Sequence, residues 1–87
     1  MQIYTLITDN YLNIPAVTKV YNFKTEADAK DFRTKLIRNL KQEILKHENK
    51  EPEEVRRRTR NGQTVFFNAY NPAVQYARII ILPTELQ

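Results

Sequence analysis

The densest chemistry in this 87-residue sequence is the stretch VRRRTRNGQTVFFNAY, residues 55–70. Arg56, Arg57, Arg58 and Arg60 precede an Asn-Gly pair, and Phe66, Phe67 and Tyr70 follow it. A guanidinium group binds phosphate oxygens bidentately and stacks on flat rings. Arginines beside exposed aromatics are therefore candidates for nucleic-acid contact. Lys30, Arg38 and Lys41 would extend the basic surface, and Phe66, Tyr70 and Tyr76 would offer stacking rings. The same run has a plainer reading. A strand of charged residues protects the edge of a sheet against pairing with other chains. Glu51, Glu53 and Glu54 directly precede the arginines and can neutralise part of their field by local pairing.

Little else in the chain resembles reaction chemistry. His47 is the single histidine, and no nucleophile or carboxylate lies at a spacing that would recruit it as a base. Its place near the end of a predicted helix suits an imidazolium facing the helix dipole. Gly62 is the single glycine and cysteine is absent. These counts remove Gly-rich phosphate loops, thiolate nucleophiles, zinc fingers and disulfides together. The RNA-binding pattern K/R-G-F/Y-G/A-F-V-x-F/Y is also missing. The expectation is a non-enzymatic binding module with no catalytic residue, no metal, no cofactor and no small-molecule substrate.

Bulk properties narrow the class further. A chain of this length makes one domain with a small core. Hydrophobic content of 41% and charged content of 28% sit near globular averages and argue against disorder. A net charge of +4 permits contact with nucleic acid without requiring it. The N-terminus MQIYTLITDN carries neither a basic region nor a long apolar one, so it is not read as a signal peptide. The longest apolar run, IIIL at 79–82, is too short to span a membrane. Together with the missing cysteines, this points to a cytoplasmic setting.

The elements that must position the arginines read as β-β-α-β-β-β. Residues 2–8 (QIYTLIT) and 16–23 (AVTKVYNF) have strand composition and enclose a turn-rich loop, which predicts a hairpin. Thr25-Glu26-Ala27-Asp28 has the form of a capping box. From there to about His47 no Pro or Gly interrupts a helix. Ala29, Phe32, Leu36, Ile37, Leu40 and Ile44 fall on one arc of it and predict the core-facing stripe. Arg33 intrudes on that stripe and is expected to snorkel to its edge. Leu45 lies opposite. With Tyr11 and Leu12 it is a candidate exposed apolar patch. Residues 74–82 (VQYARIIIL) are apolar enough for a central strand, which Pro83 should end.

Asn61-Gly62 predicts a two-residue type I′ turn. Arg60 would then oppose Gln63, Thr59 Thr64, Arg58 Val65, Arg57 Phe66 and Arg56 Phe67. One face of the hairpin would carry Arg56, Arg58, Arg60, Val65, Phe67 and Ala69. The other would carry Val55, Arg57, Thr59, Phe66, Asn68 and Tyr70. Neither face is wholly apolar, so the arginine strand belongs at the sheet edge.

One helix covers one face of a largely antiparallel sheet and leaves the other uncovered, which is a two-layer α+β fold. Two function classes follow. The first is a small regulatory protein that contacts nucleic acid, or a nucleic-acid-bound machine, through the arginine hairpin. The second is a protein–protein module, a homodimer or a small inhibitor of the kind phage and mobile elements encode, working through the uncovered face or an edge strand. The charge of the uncovered face separates them. A basic face with exposed rings favours nucleic acid, whereas an apolar or acidic face favours protein.

Overall fold

The computed structural model describes residues 1–12, 15–60, 62–68 and 75–85. The elements run β1 (Gln2–Asn10), β2 (Val17–Phe23), α1 (Glu26–Glu48), β3 (Glu53–Thr59), β4 (Gly62–Asn68) and β5 (Gln75–Glu85). This is the predicted α+β order. The five strands form one sheet in the order β2-β1-β5-β4-β3, with every neighbouring pair antiparallel. β5 is central, as its apolar composition predicts, and the arginine strand β3 lies at one edge.

The helix starts and stops where its caps dictate. The Thr25 hydroxyl accepts the Asp28 N–H at 3.1 Å, and Glu26 and Asp28 place negative charge in the first turn. At the far end Asn49 adopts a left-handed conformation and donates its N–H to Leu45 O at 2.8 Å. Ala29, Ile37, Leu40 and Ile44 are buried, and Phe32 and Leu36 pack beside them. Phe32 stacks at a tilt against Tyr21 and Phe23 of β2, with ring centroids 4.6 and 5.3 Å apart. The helix therefore lies over β1, β2 and β5. Beneath it Leu6, Val65, Phe67, Ala77, Ile79 and Ile81 complete the core.

Three expectations change. The hairpin register pairs Thr59 with Gly62, Arg58 with Gln63, Arg57 with Thr64 and Arg56 with Val65. The loop is thus positions 60 and 61, and Gly62 is a strand residue. Asn61 itself lies outside the described residues. The reason is crowding. A Cβ on Gly62 would stand 2.6 Å from Ile81 O and 2.7 Å from Leu82 Cδ2. The glycine serves close approach to β5 before it serves a turn. Because the shift is two residues, Arg56 and Arg58 still share a face and Arg57 takes the other.

Second, β5 runs through Pro83 to Glu85. β4 starts at Gly62, and the pairing described between it and β5 begins at Gln63 opposite Ile81. Among the described residues Pro83 therefore lies beyond the end of β4 and pairs on one side only, with Tyr4 of β1. It occupies a local edge, where the missing N–H costs no ladder bond. Third, Leu12 packs against the core and does not join Leu45 and Tyr11 in an exposed patch. Those two are exposed, at 44% and 41%.

Candidate functional site

Antiparallel register places opposed residues on one face, so the uncovered face can be read row by row. The central row is Val20–Ile7–Ile80–Thr64–Arg57, running from β2 to β3. Above it run Asn22, Thr5 and Leu82. Below it run Thr18, Asp9, Arg78, Phe66 and Val55. Aliphatic side chains occupy the middle and short hydroxyls surround them. Thr5 donates to Asn22 Oδ1 at 3.0 Å and shares a second 3.0 Å contact with Thr84. Three hydroxyl or amide groups, one from each of three strands, are thus engaged with one another along one margin.

Two of the charges on this face, Asp9 and Arg78, pair with each other. Arg78 sends Nε and Nη2 to Asp9 Oδ2 at 3.0 and 2.7 Å. Thr18 donates to the other carboxylate oxygen at 2.6 Å. Asp9 is only 6% exposed although no helix covers it. Burial raises the Asp9 carboxyl, but the Thr18 and Arg78 hydrogen bonds, the Arg78 charge and a Tyr11 hydrogen bond outweigh burial. They hold its pKa below the ordinary value. Arg57 lies over the Phe66 ring, 5.8 Å from its centroid. The middle of this face is therefore apolar, and among the described residues its one cation outside an ion pair, Arg57, lies toward the β3 edge.

Of the three rings expected to be exposed, the two described ones are partly covered. Phe66 is half-buried beneath Arg57. Tyr76 packs on the core, next to the irregularity where Phe67 pairs with Ala77 but Asn68 with Gln75. Tyr70 lies outside the described residues.

The remaining predicted cations go to the helix side. Arg56 and Arg58 point toward α1, and with Arg33, Gln63 and Val65 they line a groove of about 180 Å³. Arg33 is its helical wall, and Lys30 and Lys41 lie elsewhere on α1. Lys30 pairs with Glu26 at 3.0 Å and Lys41 with Glu54 at 3.1 Å, while Arg56 also binds Glu54 at 3.0 Å. Local pairing by the acidic run is therefore real for Glu54. Its carboxyl is raised by burial but lowered further by Arg56 and Lys41, and the net shift is downward. The Glu26 carboxyl is lowered by hydrogen bonds from Lys30 and Gln63. Arg38 is exposed on the helix. Arg60 is also exposed, beside the hairpin loop.

Arg33, absent from the predicted basic set, is the most constrained cation of the groove. It does not reach water freely at the stripe's edge. Nη1 donates to Gln63 Oε1 at 3.1 Å, and Gln63 in turn donates to Glu26 at 2.9 Å. Its Nε is buried without a hydrogen-bond partner among the described residues. Burial, and then repulsion from Arg56, push its pKa down. The signal in the sequence was its position: a cation inside an apolar arc must find a polar partner across the interface.

Among the described residues no group of His, Asp or Glu is placed to hold a metal, and no helix is long and apolar enough to cross a membrane. No protein-family model, curated protein or solved structure matches the chain significantly. What the chain does must come from these surfaces alone.

Proposed function

We propose that this chain is a non-enzymatic protein-interaction module that docks a partner on its uncovered sheet face. One observation carries the reading: Ile7, Ile80 and Leu82 lie at the middle of that face on its two central strands, and the charges beside them are already paired. Such a face offers burial of apolar area at low desolvation cost. The complementary partner surface is apolar at its centre and carries hydrogen-bonding groups at its rim. Thr64→Lys tests this, since it sets a charge beside Ile80 without removing a core residue. Affinity capture with the wild-type chain should enrich a partner that Thr64→Lys loses and that Arg56→Gln/Arg58→Gln keeps. A partner indifferent to Thr64→Lys excludes this face.

A second reading is supported by a separate observation. Arg33, Arg56 and Arg58 line the groove between α1 and β3, and its Gln63 and Arg56 bind Glu26 and Glu54, which also pair with Lys30 and Lys41. Crowded, incompletely paired guanidinium groups are a disposition for binding phosphate. With no ring among the groove's described lining residues, the contact would be to nucleic-acid backbone and insensitive to base sequence. Fluorescence anisotropy with labelled single- and double-stranded DNA and RNA, at about 50 and 200 mM salt, measures it. Binding that falls steeply with salt and is weakened by Arg56→Gln/Arg58→Gln supports the groove. Absence of binding at the lower salt removes it and leaves β3 as a guarded edge.

A further inference from the structure

The opposite edge of the sheet has no such guard. β2 reads VTKVYNF, and Lys19 is its single charged residue. It contains no proline, and its first four residues are all exposed. Val20, in the middle of the strand, is 57% exposed. It ends the apolar row that runs through Ile7 and Ile80. A bare, regular edge strand with an exposed aliphatic centre is a template for one more strand.

We propose that β2 pairs antiparallel with β2 of a second copy of this chain, joining two sheets into one of ten strands. The register follows from symmetry. Outward N–H and C=O groups alternate along a strand, so the two-fold axis must pass through a residue and not between two. An axis at Lys19 would oppose two ammonium groups. An axis at Tyr21 would leave Val17 without a partner and bring in Lys24, beyond the strand. An axis at Val20 pairs all seven residues: Val20 with itself, Lys19 with Tyr21, Thr18 with Asn22 and Val17 with Phe23. Apolar then meets apolar, polar meets polar, and the lysine meets a ring.

Both faces of the new junction are served. On the uncovered side the row Ile80–Ile7–Val20 continues across the axis into its own mirror order. On the other side a groove of about 190 Å³ runs beside β2, lined by Val17, Tyr21, Leu36, Leu40 and Glu43 among others. In this register the second copy's Phe23, Tyr21 and the stem of its Lys19 would stand at the mouth of that groove, opposite Val17, Lys19 and Tyr21. An isologous contact of this kind closes at two subunits, because the far edges are the arginine strands. The pairing does not depend on either reading of the chain's function, since it uses neither Thr64 nor the arginine groove.

Sedimentation equilibrium of the full chain, from about 1 to about 200 μM, spans the range in which a micromolar dimer assembles. The expected mass rises toward twice the 10.4 kDa of one chain. Val20→Lys places two ammonium groups on the axis and should weaken the dimer by about tenfold or more, while Val20→Ile keeps it. Hydrogen exchange supplies a readout that needs no variant: β2 amides should be protected at the high concentration and exchange quickly at the low one. A chain that stays monomeric at the highest concentration overturns the proposal. So does a dimer whose β2 exchange is independent of concentration, or one that Val20→Lys leaves equally tight.

Discussion

β2 and β3 are the two edges of one sheet, and each is seven residues long. β3 has five charged residues among its seven, whereas β2 has one. β3 is tied sideways as well, through Arg56 and Glu54 to Lys41 of the helix. β2 is held by apolar contact, with Tyr21 and Phe23 against Phe32. The difference teaches what the arginines do first. A row of charges disfavours pairing with a further strand, so by composition β3 is the guarded edge, and any affinity for anions would be built on that arrangement. The edge that lacks them is the one left for pairing.

The two sides should also break differently. The largest expected effect is at Gly62, which lets the β3–β4 hairpin approach β5. Gly62→Ala drives a Cβ into the Ile81 carbonyl at a φ of +156°, and should cost at least about 2 kcal/mol. Urea denaturation should show a lower midpoint, and hydrogen exchange should rise in β3 and β4 before β2. Equal loosening of both edges would mean that the hairpin is not held through this contact.

Asp9 is the corresponding fastener on the β2 side, since Thr18 of β2 and Arg78 of β5 both bind it. Asp9→Asn should cost about 1 kcal/mol at neutral pH, because Arg78 remains partly hydrated once its carboxylate is gone. The pH dependence has a definite sign. The folded pKa is lowered, so the contribution is complete above the unfolded carboxylate value of about 4 and is lost as pH falls through the folded value. Urea midpoints of wild type and Asp9→Asn should differ at pH 7 and converge in acid. The smallest effect belongs to Arg57→Ala, which removes the cation over Phe66 and should cost about 0.5 kcal/mol. Equilibrium unfolding of the two chains side by side checks it. A loss as large as that of Asp9→Asn would show that Arg57 is doing more than covering a ring.

The sequence made some of this legible and hid the rest for identifiable reasons. Thr25 and the stripe from Ala29 to Ile44 are local signals, and the helix follows from them. The arginine strand had to be an edge because unpaired cations do not enter a core this small. The hairpin register could not be read, because what displaces Gly62 from the turn is β5, 19 residues away at Ile81. Asp9 and Arg78 are 69 residues apart, and nothing in either neighbourhood announces the other. Arg33 was visible as an anomaly, but its partner Gln63 sits on a strand whose register was misjudged. Long-range pairing is where periodicity and composition stop carrying information.

The strand order also constrains how the molecule comes together. β1 with β2, and β3 with β4, are hairpins of near neighbours that can zip locally. They meet nowhere except on the two flanks of β5, the last strand in the chain. Gln2 finds Glu85 as its partner, so nearly the whole chain must be looped before the sheet is continuous. Closing that loop is entropically slow and is rewarded only once both flanks are zipped. Without β5 the two hairpins would present four bare edges. Among the described residues the completed sheet keeps one poorly guarded edge, β2, because β5 joins the two hairpins together.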